Sequence, residues 1–374
     1  MNGHRTPRHT PAGPRSLSSR RHRMSHSPLL LVLLLLALLV AGSLFFAGCG
    51  SDGADTADSS ATTAAEATTT SAAPTTSTAA APTSTTAAPA SATTAGKAAY
   101  PVTVTDDNGA SVTVEAEPLR IVSTAPAGTE MLFALGLGER VVGVTSLCDY
   151  PANVEGIAKV GDFMANTEAI MALSPDLVVG YSGNEEALAP IQAAGAAVII
   201  FNPATVDGIY SNITTLGAVA GKTAEAAELI ESIKAEIAGV AETAAAAGDK
   251  PRVFYGLDNT LWTCGPGSFV DEMLSLANCA NIGSADTFEG VAVQAYYQLT
   301  PEQLVSADPD VILLPSSSGY SSAEEFTGDP RFAGLAAVKN GSVYLFDDTT
   351  VTRPGPRIGQ GLRLLAEAIH PGAF

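Results

Sequence analysis

Two stretches of the chain place a carboxylate, a Pro-Asp pair and an apolar strand in the same order. The first runs Thr167-Glu168-Ala-Ile-Met-Ala-Leu-Ser-Pro175-Asp176-Leu-Val-Val, and the second Thr300-Pro301-Glu302-Gln-Leu-Val-Ser-Ala-Asp-Pro309-Asp310-Val-Ile-Leu-Leu. In both, the Glu falls in the first turn of a helix-like segment. One such Glu is explained by the helix dipole and capping alone. Two at the same distance from Pro-Asp imply two similar lobes, each presenting one carboxylate at an equivalent place.

Catalytic and metal signatures are missing around them. Of the five His, His4, His9, His22 and His26 precede the expected cleavage site and His370 sits near the C-terminus, so neither lobe is expected to have an imidazole at its cleft for a metal site or for a Ser-His-Asp or Cys-His pair. Gly180-Tyr-Ser-Gly183 lacks the spacing of a nucleophile elbow. Gly136-Leu-Gly138 follows a helix and precedes a strand, the wrong order for a dinucleotide loop. Carboxylates alone can do glycosidase-type work, but Glu168 and Glu302 would lie in different lobes, which leaves a surface hydrolase as the weaker alternative to a non-enzyme.

What remains are aromatic and polar residues where loops follow strands, the usual ligand position in open α/β sheets. Phe163 lies in a Gly-Asp-Phe-Met loop, Tyr181 follows Leu177-Val-Val-Gly, Trp262 stands in the first hairpin of the second lobe, and Tyr296-Tyr297 precede the second repeat. Phe163 and Tyr297 suit core and cleft equally, whereas the chain's one Trp suits an exposed, ligand-facing place. Arg353 opens the last helix and is placed to meet an anionic or amide-rich ligand; Arg357 is expected to pack the helix start.

The elements that carry these residues read as an α/β protein. Val102-Thr-Val-Thr and Ser111-Val-Thr-Val alternate around Asn108-Gly109, which predicts a hairpin with a tight primed turn. Arg120-Ile-Val-Ser, Arg140-Val-Val-Gly-Val, Asp176-Leu-Val-Val and Ala197-Val-Ile-Ile-Phe are strands separated by helical segments at about 128–135, from Thr167, and over 185–194. Such alternation implies a parallel sheet covered by helices. From Thr223 to Ala247 the chain is rich in Ala, Glu, Lys, Ile and Leu, which predicts one long helix of about 37 Å, stopped at Gly248 and Pro251. Beyond it the alternation restarts with Arg252-Val-Phe-Tyr, Thr260-Leu-Trp-Thr, a helix from Ser268, the second repeat, Ser342-Val-Tyr-Leu-Phe and a final helix over 357–369. The expected fold is two Rossmann-like α/β lobes, 98–221 and 249–374, joined by a single helix over 222–248, with a ligand cleft between them. One stiff helix predicts limited opening and closing.

The first 27 residues hold six Arg and no acid, and residues 28–47 are apolar or small, ending at Cys49. This is an export signal. It looks like a bacterial lipoprotein signal in which Cys49 is lipidated, although Phe46 stands where Leu is usual. An uncleaved apolar span is the other reading, and Met24 is an alternative start. Ser19-Arg20-Arg21 matches a twin-arginine signal only in part. Residues 49–97, rich in Ala, Thr, Ser and Pro, are expected to be a disordered tether. Without the signal the chain carries 38 acids against 13 bases, which argues against nucleic acid as a partner. In an oxidising compartment Cys264 and Cys279 are the expected disulfide with Cys148 left free; three buried thiols are the alternative.

Taken together, the chain resembles the helix-bridged solute-binding proteins of ABC importers, the class III periplasmic binding proteins that capture cobalamin, ferric siderophores and haem. The resemblance is carried by Arg120-Ile-Val-Ser-Thr-Ala-Pro126-Ala-Gly-Thr-Glu130, Cys148-Asp149-Tyr150-Pro151, the two Glu repeats and Arg353-Pro-Gly-Pro-Arg357. It implies that Glu168 and Glu302 are docking carboxylates for Arg residues of two permease subunits. Asp149-Tyr150-Pro151 is similar to the cobalamin-binding branch, which implies a cleft lined at Phe163, Tyr181, Trp262 and Tyr296, with an acid and an Arg at Asp348 or Thr349 and at Arg353. Several of those places hold smaller side chains than in that branch, Leu147 among them. The implied protein is a monomeric, lipid-anchored receptor outside the cytoplasmic membrane, without a cofactor or metal.

Overall fold

The computed structural model describes residues 99–284 and 294–374. The export signal, Cys49 and the tether lie outside the described residues.

The hairpin forms as expected: β1 (Val102–Thr105) pairs antiparallel with β2 (Ser111–Val114), and Gly109 supplies the positive φ of 77° at the turn. It docks on the first lobe through two acids. The Asp106 side chain accepts from the Ile200 N–H at 3.3 Å, and Asp107 accepts from the Asn202 N–H at 2.6 Å and from the Asn212 amide at 3.0 Å.

The first lobe is a parallel sheet ordered β5-β4-β3-β6-β7. Its strands are β3 (Ile121–Ser123), β4 (Val141–Val144), β5 (Ala158–Lys159), β6 (Leu177–Tyr181) and β7 (Ala197–Phe201). The helices between and after them are α1 (Pro126–Ala134), α2 (Thr167–Ala172), α3 (Glu185–Ala193) and α4 (Val206–Val219). Then α5 (Thr223–Ala246) crosses to the second lobe. That lobe is a parallel sheet ordered β10-β8-β12-β13, built from β8 (Arg252–Tyr255), β10 (Ala280–Asn281), β12 (Val311–Pro315) and β13 (Val343–Phe346). A separate antiparallel ribbon joins β9 (Trp262–Cys264) to β11 (Tyr296–Gln298). Its helices are α6 (Phe269–Leu276), α7 (Pro301–Ala307), α8 (Ala323–Thr327), α9 (Ala336–Asn340), α10 (Thr349–Thr352) and α11 (Ile358–Ile369).

Strand alternation divides the core. Ile121, Leu177, Val179 and Ile199 point to one side of the first sheet, and Val122, Val178, Val198 and Ile200 to the other. In the second sheet Val253, Tyr255, Val311 and Leu313 join the same apolar cluster as the first set, while Phe254, Ile312 and Leu314 form their own. One core therefore runs through both lobes. It is carried by α5, whose buried Ala226, Ile233, Ile237, Val240 and Ala244 make one stripe at helical spacing. The stripe faces α4 and α11, and Gly217 of α4 lets the Ala226 methyl approach where a β-carbon would collide with it.

Sequence reasoning differs from the structure at several points, one of them Arg353, which was expected to open the last helix but instead closes α10 (Thr349–Thr352), with α11 beginning at Ile358. The helix Val206–Val219 was not anticipated. The hairpin expected around Trp262 is reduced to a single bridge between Gly256 and Thr263, because β9 takes its ladder partner from β11. The expected disulfide is not formed: Cys148, Cys264 and Cys279 are all free and buried. The Cys279 thiol donates to the Leu274 carbonyl at 3.1 Å, and the Asn281 amide approaches the Cys264 sulfur at 3.7 Å, so each sulfur is held by its own surroundings. Burial pushes both thiols up to about 12, which leaves them protonated and unreactive as nucleophiles.

Candidate functional site

The Pro-Asp repeat turns out to be a structural latch. Asp176 accepts from the N–H groups of Leu119 and Arg120 at 2.8 and 3.1 Å, and the Arg120 guanidinium reaches back to the carbonyls of Leu173 and Ser174. In the second lobe Asp310 accepts from the Arg252 N–H at 2.8 Å, and Arg252 donates to the carbonyls of Ala307 and Asp308. Ser174 and Asp308, the residues before each proline, take matching left-handed φ values of 46° and 41°. Each latch ties the end of α2 or α7 to the first strand of its own sheet.

The two Glu residues at the other end of these helices have no such task. The Asn166 side chain caps α2 by accepting from Ala169 N–H at 3.0 Å, and Thr300 caps α7 in a reciprocal box with Gln303. Glu168 and Glu302 are exposed, and among the described residues neither takes part in an ion pair. Capping is thus done by neighbours, and both carboxylates face solvent from rigid first turns.

Between the lobes lies a cavity of about 210 Å³. Tyr181, at the end of β6, and Phe163, on the loop before α2, line it from the first lobe, and Arg353 from the second. Phe163 is 78% exposed. Its loop is pinned where the Asn184 side chain accepts from Ala165 N–H at 2.7 Å and Asp162 accepts from Met164 N–H at 3.2 Å. Burial raises the Tyr181 phenol above its ordinary value, with the Asp107 carboxylate adding to it. Trp262 and Tyr296 lie outside this lining. They occupy one face of the β9–β11 ribbon, where Tyr296 pairs with Cys264 and Gln298 with Trp262, so the two exposed rings are diagonal neighbours. Burial raises the Tyr296 phenol above its ordinary value. Tyr297 resolves to the core: it is buried, and its hydroxyl donates to the Gly283 carbonyl at 2.8 Å.

Two basic residues tie the lobes together. Both terminal nitrogens of Arg353 donate to the Asp149 carboxylate, the second at 3.0 Å. Arg357 holds the buried Glu130 through bonds of 2.6 and 2.9 Å and lies 4.1 Å over the Tyr150 ring. Arg357 does pack the helix start, but against the other lobe. The hydrogen bonds of Arg353 hold the Asp149 carboxyl below the usual carboxylate range. Asp149 and Glu130 stand in the quoted motifs, yet nothing local in the sequence announces their partners.

Asp348 does not line the cavity. It is buried and accepts from the Ser316 and Ser317 hydroxyls at 2.8 Å and from the Ser317 N–H at 3.2 Å. Its oxygens are occupied in fixing the turn after β12 to the start of α10, which corrects its place among the ligand-facing residues. Thr349 follows it at the first position of α10. Among the described residues no group of three His, Cys, Asp or Glu could hold a metal ion, and no helix is long and apolar enough to cross a membrane.

Comparison with known proteins agrees with this architecture. The Periplasmic binding protein family matches residues 121–350. An uncharacterized ABC transporter substrate-binding lipoprotein, YvrC of Bacillus subtilis, is 33% identical over 284 residues, 74% of this chain and 87% of its own length. A cobalamin-binding protein of Halobacterium salinarum is 29% identical over 73% of this chain and 75% of its own. Among solved structures, the periplasmic heme-binding protein RhuT from Roseiflexus superposes with a TM-score of 0.60 at 30% identity, covering 68% of this chain and 99% of that one. With its two parallel-sheet lobes, single connecting helix and interlobe cleft, the chain belongs to the periplasmic binding protein family.

Proposed function

We propose that this protein is an extracytoplasmic receptor that captures a corrinoid such as cobalamin between its lobes and passes it to the permease of an ABC importer. The observation that carries the reading is the interlobe cavity, lined by Phe163 and Tyr181 from the first lobe and Arg353 from the second, with the exposed rings of Trp262 and Tyr296 outside that lining on the β9–β11 ribbon. The similarity to the cobalamin-binding protein of Halobacterium and to the ABC transporter substrate-binding lipoprotein of Bacillus supports it. A cavity of about 210 Å³ is smaller than the roughly 300–1,000 Å³ that encloses a drug-sized ligand. A macrocycle therefore lies across the mouth, against the exposed faces of Phe163 and Trp262. The cleft binds and does not catalyse. Glu168 and Glu302 dock the receptor on two basic permease sites through charge-assisted bonds. A lipid on Cys49 and the 49–97 tether hold the monomeric lobes, 98–221 and 249–374, at the outer face of the membrane.

Arg353 in the cavity lining favours a second reading, a receptor for haem or a ferric siderophore, in keeping with the heme-binding Roseiflexus structure. Titration of the purified 98–374 fragment with cyanocobalamin, haem and ferric siderophores separates the two. Saturable cyanocobalamin binding supports the first; its absence at micromolar concentration, with an iron complex bound instead, supports the second.

A further inference from the structure

Arg353 reaches the cavity with its charge already neutralised. Asp149 takes both terminal nitrogens from the other lobe, and Glu130 lies 3.5 Å from the same guanidinium. The other cation of the cluster, Arg357, is bound by Glu130. Asp162 lines the cavity, and Asp347 is close enough to feel both Arg353 and Asp149. Two cations thus face four carboxylates. A ligand carboxylate must share Arg353 with Asp149 or displace it, and in either case it brings a further negative charge into an acidic surround. An amide meets a different surface. Asp149 is a 61% exposed carboxylate with lone pairs left over, so it accepts from an amide N–H, while unused N–H groups of Arg353 donate to an amide oxygen.

We propose that Asp149 is a specificity-determining residue: by occupying Arg353 it turns the cleft against carboxylate-bearing ligands and toward uncharged, amide-rich ones. This rests on the cleft being the ligand site and narrows what it takes. Discrimination of this kind works by penalising the wrong partner as much as by favouring the right one. A corrinoid presents neutral amides around its ring, whereas haem presents two propionates.

The test uses the full chain, wild type and Asp149→Asn, titrated with two matched pairs: cyanocobalamin and its monocarboxylic acid, and haem and its dimethyl ester. In wild type the uncharged member of each pair binds more tightly. In D149N the affinity ratio moves toward the acid by about tenfold, the scale of one charge-assisted bond, and adding Arg353→Gln removes that gain. Because the readout is a ratio within one preparation, a general loosening of the lobes does not mimic it. An unchanged ratio in D149N overturns the proposal, and so does a wild-type preference for the acids. Failure of cyanocobalamin alone to bind overturns the corrinoid reading and leaves the ratio to be read on the haem pair.

Discussion

Asp149 illustrates how a side chain can be noted in a sequence while the partner that defines its role stays hidden. It stands in a noted motif, but its partner Arg353 is 204 positions away, and no periodicity or spacing links two residues that meet only across a cleft. Its depressed ionisation has a consequence for stability. A carboxyl whose folded value lies below its unfolded one stabilises the fold above the unfolded value, near 4, and that contribution is lost as pH falls through the folded value. The thermal midpoint of wild type should therefore exceed that of Asp149→Asn at about pH 6, and the gap should narrow as pH falls below about 4 and Asp149 protonates. Glu168 and Glu302 lend themselves to the complementary experiment. With Asn166 and the Thr300–Gln303 box doing the capping, replacing Glu168 and Glu302 by Gln should leave the unfolding free energy within about 0.5 kcal/mol of wild type and ligand affinity unchanged while uptake in cells is lost. A loss of ligand affinity would assign the carboxylates to the cleft instead.

Most elements were legible because apolar alternation and helix punctuation are local. The repeat placed α2 and α7, and the Ala/Glu/Lys-rich run placed α5 to within a residue of its observed end at Ala246. Helix α4 escaped because Thr, Ser, Asn, Gly and β-branched residues make it a poor helix by propensity. Its buried Val206, Ile209, Ile213 and Leu216 show that packing overrode that preference. The ribbon partner of β9 was hidden for a related reason: a strand this short chooses its neighbour through tertiary contacts, not through its own pattern. The loop that presents Phe163 depends on one glycine. Gly161 has φ of 124°, and a β-carbon there would overlap the Met164 carbonyl oxygen, which is backbone and cannot move aside. Gly161→Ala should cost roughly 1–3 kcal/mol and weaken ligand binding together with stability, read by thermal denaturation and titration of the same sample.

At the scale of the molecule, the decisive fact is that both sheets contribute to one apolar cluster and that two Arg residues bridge the lobes on the cleft side. On the α5 side a further tie links them, where Glu272 accepts from Val206 N–H at 2.9 Å. Opening the cleft widely would tear this core. Ligand addition should accordingly change the radius of gyration by less than about 1 Å in small-angle scattering, the scale of movement of pre-organised binding proteins, and a larger change would refute the stiff connection. The latches of Arg120 with Asp176 and Arg252 with Asp310 keep each lobe rigid within itself, so what movement remains belongs to loops. The buried stripe of α5 is enclosed by side chains drawn from both halves of the chain. Neither lobe is then a part that can be exchanged for its counterpart in a relative unless the facing stripe is exchanged with it.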